Sequence, residues 1–369
     1  MLKINKKVPH KNIKFLSKAS FPQRNTVISV CRSALTKAPD KESFEILEYY
    51  LSSGLSVLSQ QEINFIKTTA ETLWPDYLIY RYKFNNYAKL GVIPDFPIYL
   101  LIEPTSICNL RCSMCFQTDR SFSSDKKYIG SMDIKLFKRI IDEAFLGGTK
   151  AITLASRGEP TLHPKLAEML EYCAGKFLEI KINTNAICLT SELSHKILKN
   201  NVGIVVFSVD AYDADGYKKI RNSGKFAAVV KNILDFHAIR ERYYPGSGVT
   251  TRAHGVKVLD DFSDSKFRSF WGNITDEVSL SDPILRWDTY NNPETNHSRA
   301  CLRALDKLYI WYDGICNPCD VDYKSRLAMG NVSRSTIRRI WNGNKFHEFR
   351  KKQMGGRRAA LSPCNRCEL

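Results

Sequence analysis

The chain has no apolar run approaching the roughly 18 residues that cross a bilayer as a helix, so nothing in it reads as a membrane span. Its first 18 residues, MLKINKKVPHKNIKFLSK, are basic but hold no apolar stretch of signal-peptide type. A secretion signal is therefore not expected, and the expected compartment is the cytoplasm, where thiols stay reduced. There is no internal repeat and no low-complexity tract. Acids are scarce: 38 Asp and Glu stand against 55 Lys and Arg, a formal charge of +17. Such an excess suits an anionic partner: nucleic acid, a phosphorylated or nucleotide-linked metabolite, or an acidic peptide. The basic residues are spread along the whole chain, so charge alone excludes little. With 369 residues, 43% of them hydrophobic, two or three domains can each bury a core.

Cysteine is what the chain does have, eleven in all. A disulfide framework does not fit a reducing compartment, and the spacing speaks for metal. Cys108, Cys112 and Cys115 form C-x3-C-x2-C, and Cys301, Cys316, Cys319, Cys364 and Cys367 fall in the last 69 residues. Cys31, Cys173 and Cys188 stand apart. Cys173 keeps helical step with Leu166, Met169 and Leu170, so it reads as a core thiol.

Hydrophobic periodicity divides the chain. Residues 1–95 read as mostly helical, with Phe44, Leu47 and Leu51 on one face. Ser59 and Glu62 form a capping box before Ile63, Ile66, Ala70 and Leu73. Residues 96–265 alternate strands (97–103, 151–155, 177–183, 202–210, 249–258) with helices, one carrying Phe137, Ile140, Ile141, Ala144 and Phe145. That alternation predicts an α/β fold with a parallel sheet and its chemistry at the strand C-termini. Cys108 lies just past the first strand. Residues 266–300 read as an irregular connector, and 301–369 as a small module with a hairpin at Asp313-Gly314 and a short helix near 335–341.

Thiolates suit iron–sulfur clusters, zinc or copper(I). A 4Fe–4S cluster takes four cysteines, so three leave one position for an outside ligand, as open catalytic zinc sites do. C-x3-C-x2-C after a first strand resembles the signature of the radical SAM superfamily. The resemblance implies a partial (β/α) barrel of radical SAM type, with a helical N-terminal region and a small C-terminal iron–sulfur module. It implies that Cys108, Cys112 and Cys115 hold a 4Fe–4S cluster whose open iron binds S-adenosylmethionine. Reductive cleavage of that cosubstrate would give a 5′-deoxyadenosyl radical that takes a hydrogen atom from substrate. In RGEP (157–160), Gly158 and Glu159 match the family's G-G-E-P segment, with Arg157 where a glycine is usual. NTNA (183–186) and SVDA (208–211) resemble later strand-end segments, which brings in Asn185 and Ser208. Arg221 stands where related enzymes place an arginine near the methionyl carboxylate. Met114 replaces an aromatic residue, and Phe116 could supply the contact near adenine. Taken singly, Glu159 is a helix-start acid, Asn185 and Ser208 are strand-end polar residues and Arg221 is a surface charge.

The tail, Cys301-x12-Gly314-x4-Cys319 and then Cys364-x2-Cys367, resembles a Twitch module, the shortened SPASM domain. That implies a second, auxiliary 4Fe–4S cluster on four thiolates, with Cys316 an extra thiol that could replace Cys319. A structural zinc ribbon is the competing reading, although it favours two tight C-x2-C pairs. The function expected is oxidation or rearrangement of a small polar, sugar-like or nucleotide-linked metabolite. The alternatives are a ribosomal-peptide maturase, an RNA-modifying radical enzyme and a non-catalytic metal-binding or interaction protein. The expected partners are the substrate and an electron donor such as a flavodoxin or ferredoxin, with neither membrane nor nucleic acid.

Overall fold

The computed structural model describes residues 23–38, 40–283, 289–295 and 297–368. The basic N-terminal stretch lies outside them. Two compact units are present, divided between Tyr87 and Ala88.

The described part of the first unit is helical: Arg24–Leu35, Lys41–Ser52, Gln60–Thr68 and the start of Trp74–Leu90. Ser59 and Glu62 form the expected capping box, and Glu62 also accepts the Tyr50 phenol at 2.7 Å. Val27, Ile46, Leu47, Ile66 and Leu78 make the core. The buried faces differ from those read in the sequence. Phe44 and Leu73 are largely exposed, and Ala70 and Leu73 fall beyond the end of their helix. Apolar spacing marks a helix face, but neighbouring helices decide which edge of it is covered.

The second unit is built on one sheet: β1 (Tyr99–Ile102), β2 (Ala151–Leu154), β3 (Glu179–Thr184), β4 (Ile204–Ser208), β5 (Thr250–Val256), β6 (Glu277–Ser281), β7 (Leu308–Ile310), β8 (Ile315–Asn317) and β9 (Gly330–Asn331). Its order is β6-β5-β4-β3-β2-β1-β7-β8-β9. Strands β1 to β6 are parallel neighbours in chain order, each joined to the next through a helix. Such crossovers share one hand and curl the sheet toward a barrel with its strand C-termini at one mouth. Helix Ile134–Gly147 shows how the outer layer forms. Asp133 caps it, Gly148 ends it in the left-handed region, and Phe137, Ile140, Ile141 and Ala144 are buried against the sheet. Phe145, expected on that face, is exposed.

The stretch read as a connector is corrected in two places. Helix Asp264–Gly272 bridges its start, and β6 pairs in parallel with β5. The C-terminal hairpin forms as expected, with Gly314 at φ 84° in its turn. It does not stand apart, however. β7 pairs in parallel with β1, so the C-terminal segment extends the main sheet. Among the described residues, no helix is long and apolar enough to cross a membrane.

Candidate active site

The strand C-termini open into a cavity of about 430 Å³. Cys108, Cys112 and Cys115 line it, with Gly158 and Glu159 after β2, Asn185 after β3, Ser208 ending β4, Arg221 and Phe116. Every residue proposed from sequence for the first cluster and its cosubstrate therefore lies on one cavity. Met114, His254, Ser281 and Asp320 line it too.

Local packing fixes the cysteine loop. Ser113 N donates to Ile220 O at 2.8 Å, and Cys115 N to Cys112 O at 2.9 Å. Gln117, nearly fully buried, donates to Ser106 O at 2.9 Å and Arg157 O at 2.6 Å. It thereby ties the start of the loop to the segment after β2. Gly158 presses on the backbone of Thr105, Ser106 and Ile107, leaving no room for a Cβ. Glu159 N then reaches Ile107 O at 2.8 Å.

The Glu159 carboxylate is already engaged. Its Oε1 accepts from Thr161 N and Oγ1 and from Thr184 Oγ1, and its Oε2 accepts Asn185 N at 2.7 Å. Each carboxylate oxygen offers about two lone pairs, and Oε2, which accepts one bond, keeps one. Asn185 Nδ2 donates to Asn109 Oδ1 at 2.7 Å, which joins the β3 end to the cysteine loop. Three non-glycine residues past successive strands, Ser156, Ala186 and Asp210, have positive φ (131°, 60° and 57°). Such backbone costs free energy and clusters where a site over-determines it.

Arg221 is buried, with its Nη2 2.6 Å from Asp210 Oδ2 and its Nη1 3.6 Å from the Cys112 sulfur. The Asp210 contact is an ion pair whose N–H does not point along it, since Oδ2 has no hydrogen-bond donor. The fork expected for a ligand carboxylate is thus turned to a carboxylate of the chain. Burial works against the guanidinium charge, but Asp210 and Cys112 outweigh it and hold Arg221 protonated. Phe116 stacks on Tyr323 at 4.8 Å while lining the cavity.

Arg157, the departure from the family pattern, has a structural reason. It is buried, and its Nε and Nη2 clamp Glu103 at the end of β1 at 2.7 and 2.6 Å. Its Nη1 donates to Tyr323 O at 2.9 Å, and its guanidinium lies 4.5 Å from the Trp311 ring centre. A side chain that glycine cannot supply binds β1 and β2 to the C-terminal segment.

That segment collects the second thiol set. Cys319 and Cys364 each feel the charge of Cys301, and Cys364 that of Cys367. Gln353 joins two of them: it accepts from Cys301 N at 3.1 Å and donates to the Cys364 sulfur at 3.4 Å. Val321 N donates to the Cys319 sulfur at 3.3 Å, and Arg358 donates to the carbonyls of Cys364 and Cys367. Cys316 lies apart on β8, fully buried, its sulfur facing Gly314 O. Asp320 carries this segment into the cavity.

Both thiol sets fit clusters. Burial pushes Cys108 up to about 11, Cys115 and Cys364 up to about 12, and Cys112 and Cys319 upward as well. Thiols so placed are held neutral until a metal takes their protons. Among the described residues, no three Cys, His, Asp or Glu converge as ligands of one ion would. Ser156 Oγ and Asn183 Oδ1, at the cavity wall, are buried without a partner, as in a site built for a polar ligand.

Sequence reasoning missed Gln117, Glu103, His254 and Asp320. Of these, only Asp320 carried a signal, as the direct neighbour of Cys319.

Comparison with known proteins places the chain. The Radical SAM superfamily matches residues 102–261, and an iron–sulfur cluster-binding domain, SPASM, matches residues 301–368. A tungsten-containing aldehyde ferredoxin oxidoreductase cofactor-modifying protein of Pyrococcus furiosus is 37% identical over 113 residues, 30% of each chain. The antilisterial bacteriocin subtilosin biosynthesis protein AlbA of Bacillus subtilis is 22% identical over 295 residues, 70% of this chain and 62% of its own. The chain thus spans less than two thirds of the length of these curated relatives. Streptococcus suis SuiB, solved with precursor peptide SuiA, shares the fold at TM-score 0.53 and 14% identity, over 82% of each chain. The matched domains make the cofactors a catalytic 4Fe–4S cluster, an auxiliary cluster and S-adenosylmethionine.

Proposed function

We propose, since the chain belongs to the radical SAM superfamily, that it modifies a ribosomally made peptide by abstracting a hydrogen atom from it. The observation that carries the radical chemistry is the single cavity lined by Cys108, Cys112, Cys115, Glu159, Asn185, Ser208, Arg221 and Asp320. The peptide reading is supported by the bacteriocin-biosynthesis relative, which aligns with 70% of this chain, and by the fold shared with a peptide-bound protein. It displaces the small metabolite expected from sequence.

Cys108, Cys112 and Cys115 would hold the catalytic cluster, and Cys301, Cys319, Cys364 and Cys367 the auxiliary one. When bound, the first would supply the electron that breaks the sulfonium bond of S-adenosylmethionine, and the second would offer an electron acceptor. The chain's own groups do the rest. Glu159 Oε2, with its remaining lone pair, receives the methionyl ammonium. Ser208 and Asn185 line the cosubstrate's side of the cavity. Arg221 keeps a positive charge beside the Cys112 thiolate, and Asp210 holds that arginine in place. Asp320 faces the cavity from the auxiliary segment, and its carboxylate takes the proton that a carbon radical sheds on oxidation.

The test is anaerobic reconstitution with dithionite and S-adenosylmethionine, reading 5′-deoxyadenosine by mass spectrometry. Cys112→Ala is the control. Peptides encoded beside the gene, deuterated at carbon, should pass deuterium to the 5′-deoxyadenosine. Transfer from deuterated sugars but from no peptide would sink the peptide reading. No 5′-deoxyadenosine from fully iron-loaded protein, with or without peptide, would sink the radical one.

A further inference from the structure

We infer that the side-chain amide of Asn183 grips the backbone of the peptide substrate, pairing with the N–H and C=O of one extended residue. The inference rests on the peptide reading above and names the residue that reads that substrate. Ile180 and Ile182 turn one face of β3 into the core, so Asn183 faces the other way and lines the cavity. Its Oδ1 is buried and accepts no hydrogen bond, and among the described residues its Nδ2 donates none. An orphaned buried polar atom costs stability, and leucine would fill much the same volume without that cost. Ser156, just past the neighbouring β2, repeats the pattern. Its Oγ is buried without a partner, and its φ of 131° is backbone that a non-glycine residue adopts only under constraint. Two adjacent strands thus bring unpartnered polar side chains to one wall of the cavity.

The chemistry of the side chain says what fits it. A carboxamide carries a donor nitrogen and an acceptor oxygen side by side. In an extended chain the N–H and C=O of one residue point the same way, which is how a residue exchanges both bonds with a strand partner. Asn183 can match that pair with two hydrogen bonds and no charge. Exchanging Oδ1 and Nδ2 reverses the direction of the peptide and keeps both bonds. Position separates this ligand from the cosubstrate. Asn183 pairs with Val206, two residues before Ser208, and itself lies two residues before Asn185. It is therefore one pleat, about 7 Å, deeper in the barrel than the residues assigned to S-adenosylmethionine. A carbon that yields its hydrogen atom must touch the cosubstrate and lie beyond it, and the unpartnered amide stands at that depth. Ser156 Oγ offers one further donor to the same strand of substrate.

The test is a cycle between protein and substrate. The probe is the gene-adjacent peptide whose deuterium reaches 5′-deoxyadenosine, together with its esters, each with one backbone N–H near the modified residue replaced by oxygen. The kcat/KM for product is read for each in wild type and in Asn183→Leu. Asn183→Leu should lower kcat/KM for the parent peptide by at least about tenfold, the worth of two ordinary hydrogen bonds. One ester should lower it by about tenfold in wild type and leave it nearly unchanged in Asn183→Leu, which no longer holds that N–H. Any change in the reactivity of the ester itself acts on both proteins and cancels. Asn183→Ala, run in parallel, removes the amide without the branched methyls of leucine, so the cycle can be read even where leucine is crowded. Iron content and unfolding midpoints confirm that each variant is intact, and calorimetry gives its affinity for S-adenosylmethionine. Esters that act alike in all three proteins would overturn the inference. So would a loss of S-adenosylmethionine affinity as large as the loss in kcat/KM, which would give Asn183 to the cosubstrate. A peptide turned over equally by wild type and both variants sinks the role of Asn183 alone, whereas the absence of any peptide that passes deuterium sinks the peptide reading itself.

Discussion

The two thiol sets solve opposite problems. Cys108, Cys112 and Cys115 lie within eight residues of one loop, and all line the cavity. Cys301, Cys319, Cys364 and Cys367 come from three distant segments, and none of them lines it. The first set shares its cavity with unpartnered polar atoms, Ser156 Oγ and Asn183 Oδ1. The second is wrapped by its own surroundings through Gln353, Val321 and Arg358. One set opens onto the cavity and the other does not, as an open and a closed metal site would differ. The largest effect should break the symmetry directly. Cys112→Ala should abolish 5′-deoxyadenosine formation. Cys319→Ala should keep that formation within a few-fold while peptide product is lost. Both should lower iron from about eight to about four per chain. Equal loss of 5′-deoxyadenosine in the two variants would erase the distinction.

The sets are joined mechanically by the Glu103–Arg157 pair. Glu103→Ala strands a buried guanidinium, so it should destabilise the protein by about 3–5 kcal/mol in denaturant unfolding. Glu103→Leu with Arg157→Met removes both charges and should cost clearly less. A double variant as unstable as the single one would mean that the pair acts through geometry, not charge.

This pair also marks where the sequence stopped being legible. The strand–helix alternation, the hairpin at Gly314 and the strand-end residues were readable because they are local patterns. Arg157 was visible as a departure, but its partner lies 54 residues upstream, and Trp311 and Tyr323 lie more than 150 residues downstream. Pairing of β7 with β1 is equally non-local. β6 was missed because all five of its residues are half-buried, so EVSLS in a Ser- and Asp-rich stretch carries no burial contrast. His254 reaches the cavity through its place on β5, which its immediate neighbours do not announce.

Asp320 tests whether the closed set serves the open one. Asp320→Asn should lower product formation by about a hundredfold while iron content and cleavage of S-adenosylmethionine stay near wild type. An Asn variant with full product yield would leave Asp320 a wall of the cavity and no more.

A smaller effect concerns the loop between the sets. Asp119 accepts from Tyr323 Oη at 2.8 Å and pairs with Lys324 Nζ at 2.6 Å. Burial opposes its ionisation, but Lys324, Ser121 and Tyr323 prevail and hold it at about 2, below its ordinary 3.8. Because the folded value is the lower one, its stabilisation is present above about pH 4 and is lost as pH falls through about 2. Unfolding midpoints taken from roughly pH 5 down to about pH 2 should therefore fall more steeply in wild type than in Asp119→Asn.

The smallest effect is reserved for Cys316, the thiol that spacing left undecided between the two roles. It is fully buried on β8, opposite Ile310, within the apolar core. The groups that bear on it are Val332, Asp313 and Glu143, whereas Cys319 and Cys364 both feel Cys301. A thiol surrounded by core and remote from its fellows behaves as a small hydrophobe. Cys316→Ala should therefore leave iron and sulfide at wild-type values and cost only about 1 kcal/mol of stability from the atom removed. Cys319→Ala, three residues on, should lose half the iron. If the two variants lost iron alike, the closed set would have five members within reach and the wrapping described for it would be looser than the hydrogen bonds imply.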